Sequence, residues 1–111
     1  MKKTLMIDLD GVLNTYSGNY KENEISPIRD GAKEFLEELS KDYIIEIFTV
    51  RDKTLTIKWL KENDLINYVK EVTNIKNPFA FAFIDDRAIN FDGKFENMLS
   101  KIKNFKPHWK F

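Results

Sequence analysis

The sequence predicts an α/β fold: a Rossmann-like, three-layer arrangement with a mainly parallel sheet, in one domain spanning residues 1–111. Two observations carry that expectation. Apolar runs rich in β-branched and aromatic residues alternate with amphipathic helical segments along the chain. Two of the runs, residues 4–9 and 79–84, are apolar enough to be buried on both faces, as central strands of parallel sheets are. Each ends in paired carboxylates: Asp8 and Asp10, followed by Gly11, and Asp85-Asp86, followed by Arg87. Ligands of open α/β sheets bind beyond the carboxyl ends of the strands, so the two acidic pairs read as one divided site.

Composition narrows the chemistry. Eighteen basic and eighteen acidic residues cancel, so no general field draws the chain to nucleic acid or to an anionic membrane. There is no cysteine, which excludes disulfides, thiolate zinc sites and thiol nucleophiles. The one histidine, His108, lies near the end of the sequence. Catalysis would therefore rest on carboxylates, hydroxyls, lysines and metal. The apolar stretch after Lys3 is too short, and too interrupted by acids, for a signal peptide. No run approaches the roughly 20 apolar residues that a bilayer span needs. A cytoplasmic protein is expected.

The opening strand sets the central problem. One aspartate at a buried strand end is costly unless paired or bound to a cation, and two in three residues also repel each other. A hard divalent cation resolves both difficulties, while Gly11 allows a tight turn and a close ligand approach. Taken alone, the stretch reads equally as an Asp-Gly turn. Residues 12–23 are polar and loop-like, broken by Asn14, Ser17, Gly18 and Asn19. Their only large rings, Tyr16 and Tyr20, are expected to cover the edge of the core.

Pro27 and Asp30 precede a helix, with Asp30 as its cap and Ala32, Phe35, Leu36 and Leu39 on the apolar face. Residues 43–48 form the second strand, in which Glu46 needs either a sheet edge or a partner. That strand runs into Thr49-Val50-Arg51. Residues 52–63 read as a second helix with Leu55, Trp59 and Leu60 inward, and residues 68–72 as a short third strand. The run at 79–84 is the fourth. A last helix places Phe95, Met98, Leu99 and Ile102 on one face, and Pro107, His108, Trp109 and Phe111 form an aromatic tail expected to pack back.

Asp8-Leu9-Asp10-Gly11 resembles the first motif of the haloacid dehalogenase (HAD) superfamily, phosphotransferases that use an aspartate nucleophile. Asp85-Asp86 resembles its fourth motif. Thr49 is similar to the second, a strand-end hydroxyl that binds the transferring phosphoryl group, although threonine favours strands in any case. The third motif is a lysine in the connection before the last strand. Lys76 is the candidate and Lys70 the fallback, against the ordinary role of a solvated surface lysine. Residues 84–93 look like the corresponding run of small capless HAD-like hydrolases of bacteria and their phages. About twenty residues separate Gly11 from the next helix, too few for a cap domain.

The resemblance implies a magnesium-dependent phosphatase working through an aspartyl-phosphate. Asp8 would be the nucleophile, while Asp10 would protonate the leaving oxygen and then activate water. Mg2+ would be held by Asp8, by the backbone carbonyl of Asp10, and by Asp85 or Asp86. Thr49 and Lys76 would bind phosphoryl oxygens. Arg51 would either add a bidentate phosphate contact or be a solvated charge opening the next helix. The substrate would be a phosphorylated small molecule, nucleotide or protein, with a second subunit as one way to close the site. Neutral net charge disfavours long nucleic acid. The competing readings are a HAD-fold binding or regulatory protein that turns nothing over, a nucleotidase or polynucleotide-end phosphatase, and a protein phosphatase.

Overall fold

The computed structural model describes residues 1–110; Phe111, assigned above to the aromatic tail, lies outside the described residues. Four strands, β1 (Lys3–Asp8), β2 (Tyr43–Phe48), β3 (Glu71–Thr73) and β4 (Ala82–Ile84), form one sheet in the order β3-β2-β1-β4. Every pairing is parallel. Helices α1 (Ala32–Ser40) and α2 (Lys53–Glu62) cross from β1 to β2 and from β2 to β3, and α3 (Met98–Asn104) follows β4. The fold is the expected Rossmann-like α/β arrangement, with the sheet flanked by helices.

Register explains where the core sits. Ile7 pairs with Ile47 and with Ile84, and Ile47 pairs with Val72. Alternation along each strand turns this row to one face. Leu36 of α1, Trp59 and Leu60 of α2, and the loop residues Leu9, Leu13 and Leu65 pack against it. Burying each such aliphatic side chain contributes roughly 1.5–3 kcal/mol, and this face holds most of the fully buried residues.

The other face is less thoroughly covered, and most departures from the sequence expectations fall there. The run at 79–84 forms only the three-residue strand β4, at the edge of the sheet, with Phe79 92% and Phe83 43% exposed. Its apolar composition suggests a central strand, but among the described residues no strand lies beyond it. α3 turns Leu99 and Ile102 to solvent, and Phe95 before it is 81% exposed, so the expected core face is absent. Ring contact between Phe91 and Phe95 and an ion pair between Asp92 and Lys101 tie this segment to itself. Glu46 lies in the interior strand β2 and finds its partner in Asn77, whose Nδ2 donates to Oε1 at 3.3 Å.

Smaller shifts have local causes. Gly31, at φ 87°, takes the cap position of α1 in place of Asp30, because the chain enters the helix through the left-handed region. Phe35 flanks the buried line of Ala32 and Leu36 and is exposed. β3 begins at Glu71 because Tyr68 closes a 3-10 turn, Ile66–Tyr68. Asp52 caps α2, accepting from the Leu55 amide at 2.9 Å. No helix among the described residues is long and apolar enough to cross a membrane.

Candidate functional site

β1 ends at Asp8, and the chain leaves it through a π-helical turn, Leu9–Leu13, interrupted at Gly11 with φ 85°. Asp85 and Asp86 follow directly after β4. Since β1 and β4 run parallel with Ile7 opposite Ile84, Asp8 and Asp85 leave the sheet side by side. One carboxylate oxygen from each of Asp8, Asp85 and Asp86 lies within 4.8 Å of the other two. Both members of the second acidic pair therefore belong to the cluster. A Cβ at position 11 would overlap the Asp86 carboxylate, so the glycine is needed for this approach as well as for the turn.

The electrostatics are those of crowded acids. Burial pushes the Asp8 carboxyl up to about 8, helped by its hydrogen bond with Asp86 and by the charges of Asp85, Asp86 and Asp10. Asp86 Oδ1 is buried with no hydrogen-bond partner. Three converging carboxylates, one with an orphaned buried oxygen, suit a hard divalent cation such as magnesium, which takes oxygen donors.

Asp10 stands outside that three-carboxylate group and has its own partners. Its Oδ2 accepts from Arg51 Nε at 2.8 Å and its Oδ1 from Asn14 Nδ2 at 3.0 Å. The Arg51 side chain is only 1% exposed. Its Nη1 donates to the carbonyls of Lys21 and Glu22, and the Tyr20 ring stacks against it at 4.5 Å. Arg51 is thus not the solvated charge of the sequence reading, and two of its three guanidinium nitrogens are already engaged within the protein. It is a buried strut joining Asp10 to the flap, with Nε on Asp10 and Nη1 on two flap carbonyls. Removing one partner of a buried pair leaves an uncompensated charge. Arg51→Met is expected to lower the unfolding free energy by about 3 kcal/mol, read from urea denaturation.

Thr49 follows β2 immediately, is buried, and accepts from the Arg51 amide through its hydroxyl at 3.2 Å. With Asp8, Asp10, Asp86, Tyr16 and Tyr20 it lines a cleft of about 240 Å³. The two tyrosines therefore face the site; neither packs against the buried core, and Tyr20 is exposed, contrary to the expected core cover. Lys76 is exposed, its ammonium 4.5 Å from the centre of the Phe83 ring. It lines a second, larger cavity of about 710 Å³ on the thinly covered sheet face, shared with Asp8, Asp85, Phe81 and Phe91. Asp8 thus stands between the two spaces. Lys70 precedes β3, at the amino ends of the strands, where its backbone amide donates to the Ile45 carbonyl, away from the strand ends that carry the acidic cluster.

Four residues stand at the site in roles the sequence reading does not give them. Asn14 reads in the sequence as a loop breaker, yet it is fully buried: its Oδ1 accepts from the amides of Gly11 and Tyr16 while its Nδ2 reaches Asp10. Its bond to the Tyr16 amide two residues on is local Asx turn chemistry, which is the available signal. Arg29 braces the same turn, donating to the carbonyls of Val12, Asn14 and Gly11. The tail does pack back, onto the site itself. His108 Nε2 lies 2.6 Å from the Gly11 carbonyl, and Trp109 Nε1 donates to Asp86 Oδ2.

No protein-family model matches the chain, and no curated protein matches its sequence. Among solved structures, the chain is similar to a conserved protein from Bacteroides thetaiotaomicron, with a TM-score of 0.62 and 19% identity. The match covers 93% of this chain and 91% of that one. At this identity the likeness speaks to the fold.

Proposed function

We propose that this protein is a magnesium-dependent phosphatase of the HAD type, with Asp8 as the nucleophile. The observation that carries the reading is the meeting of Asp8 with Asp85 and Asp86 at the carboxyl ends of paired strands, beside a cleft edged by Thr49. Asp8 would attack phosphorus, forming its Oδ–P bond as the ester P–O bond breaks. The Thr49 hydroxyl would hold a phosphoryl oxygen in the smaller cleft. Magnesium, held by Asp8, Asp85, Asp86 and the Asp10 carbonyl, would supply positive charge at the transferring group. Asp10, whose carboxylate accepts from Arg51 and Asn14, would be the base that activates water in the second half of the reaction.

The larger cavity beside Asp8 suggests which esters fit. Phe81, Phe83, Ile89 and Phe91 give it apolar walls, and its volume is in the range of small-molecule sites. Phosphate esters with a flat, apolar leaving group, aryl phosphates and nucleoside monophosphates among them, should have lower KM than small sugar phosphates.

One observation favours the competing reading of a binding protein. Both Asp10 oxygens are already acceptors, so no proton is at hand for a poor leaving group. The test is a hydrolysis panel of aryl, nucleoside, sugar and peptide phosphates with magnesium and with chelator. Turnover should require magnesium, and magnesium at 100 times its Kd should stabilise the protein by about 2.7 kcal/mol. Stabilisation without turnover on any ester would favour the binding protein, and full activity in chelator would sink the metal.

A further inference from the structure

We propose that Trp109 is a positioning residue of the acidic site: its indole N–H fixes the Asp86 carboxylate and so prepares that residue as a cation ligand. The inference rests on the cation site proposed above and goes beyond it to a side chain remote from the acidic motifs. Trp109 Nε1 donates to Asp86 Oδ2, which leaves the buried and unpartnered Oδ1 as the free oxygen of that carboxylate. An indole N–H is a donor only and cannot itself hold a cation, so its effect on metal must pass through Asp86.

The half-buried indole is held by neighbours at its ring and its N–H. Its ring meets Tyr16 edge to face at 5.4 Å and lies against the Cα of Gly18, while the neighbouring His108 anchors the tail to the Gly11 carbonyl at 2.6 Å. The core does not account for this seat, since Trp109 lies outside the buried apolar cluster. What the seat does is remove rotational freedom from one of three crowded carboxylates. Hydrogen-bond partners that orient metal ligands typically contribute 10–100-fold in affinity.

The experiment is a calorimetric titration of the full chain with magnesium chloride, wild type against Trp109→Phe, with thermal unfolding of both metal-free proteins. Phenylalanine keeps most of the ring packing and loses the N–H. The expected result is magnesium binding about 10-fold weaker in the variant, with little change in metal-free melting temperature. A merely structural ring would instead leave affinity unchanged. Equal affinity overturns the proposal, and so does tighter binding, which would make the indole a competitor for Asp86. Wild-type protein that binds no magnesium overturns the cation site itself, a result distinct from equality between the two proteins. Nuclear magnetic resonance on wild-type protein gives a second readout that needs no variant. The Trp109 indole N–H signal should shift with the same magnesium midpoint as the calorimetry, and a signal indifferent to saturating magnesium overturns the role.

Discussion

Asp8→Asn is expected to abolish turnover and, in the same variant, to raise the melting temperature of the metal-free protein. The substitution keeps size and shape but removes the attacking oxygen charge, so kcat should fall by about 10³-fold or more. Stability should move the other way. Asp8 is partly buried among Asp85, Asp86 and Asp10, and burial together with those charges pushes its carboxyl up to about 8. Near and above that pH the folded wild type carries a carboxylate that it poorly solvates and that three neighbours repel. Asparagine removes the charge and can still donate to Asp86. A gain of one kcal/mol at the midpoint would raise the melting temperature by about 4–8 °C in a domain of this size. Assays with the aryl phosphate and thermal unfolding at about pH 8 in chelator check both halves. Retained turnover removes Asp8 as the nucleophile. A lower melting temperature would mean that its hydrogen bonding outweighs the repulsion.

The parts of this site legible in the sequence are those fixed by strand ends. Asp8, Thr49, Asp85 and Asp86 each follow an apolar run, and parallel pairing in register brings such ends together whatever the connecting loops do. The fold class was legible for the same reason: alternating strands and helices leave few arrangements besides a parallel sheet. What stayed hidden depends on partners far along the chain. Arg51 and Asp10 are 41 residues apart, and His108 and Gly11 are 97 apart, with no periodicity linking either pair. The charge on Arg51 suggested phosphate, but its choice of Asp10 and two flap carbonyls is a tertiary fact. Burial was misjudged where composition had to stand in for neighbours. Phe79, Phe83, Phe95 and Leu99 have core chemistry, yet whether they are covered depends on what packs beside β4 and α3.

Metal-free stability is expected to fall as pH rises from about 4 to about 8, opposite to the usual acid-denaturation slope. The sign follows from proton counting. The ordinary Asp value is 3.8, and the folded value of Asp8 is about 8, raised first by burial and then by Asp86, Asp85 and Asp10. Between those values the folded chain keeps a proton that the unfolded chain has released. The unfolded state therefore binds fewer protons, and stability declines with pH across that window. Outside it, both states carry the same charge at this residue and the contribution is flat. Glu71, lowered by its pairing with Lys53, and Asp92, lowered first by the Lys94 amide, act in the other direction, contributing stability that is lost only toward acid pH. Both are exposed, so their effect is small and lies below the Asp8 window. Magnesium should reverse the slope, because a metal ligand must give up its proton and the ion binds more tightly as Asp8 ionises. Urea unfolding at several pH values from about 4.5 to 8.5, in chelator and in excess magnesium, separates the two curves. They should diverge with rising pH, magnesium contributing most at the alkaline end. A metal-free curve that rises across this range would show that Asp8 is ionised and well solvated in the folded protein, and parallel curves would show that no ion binds through it.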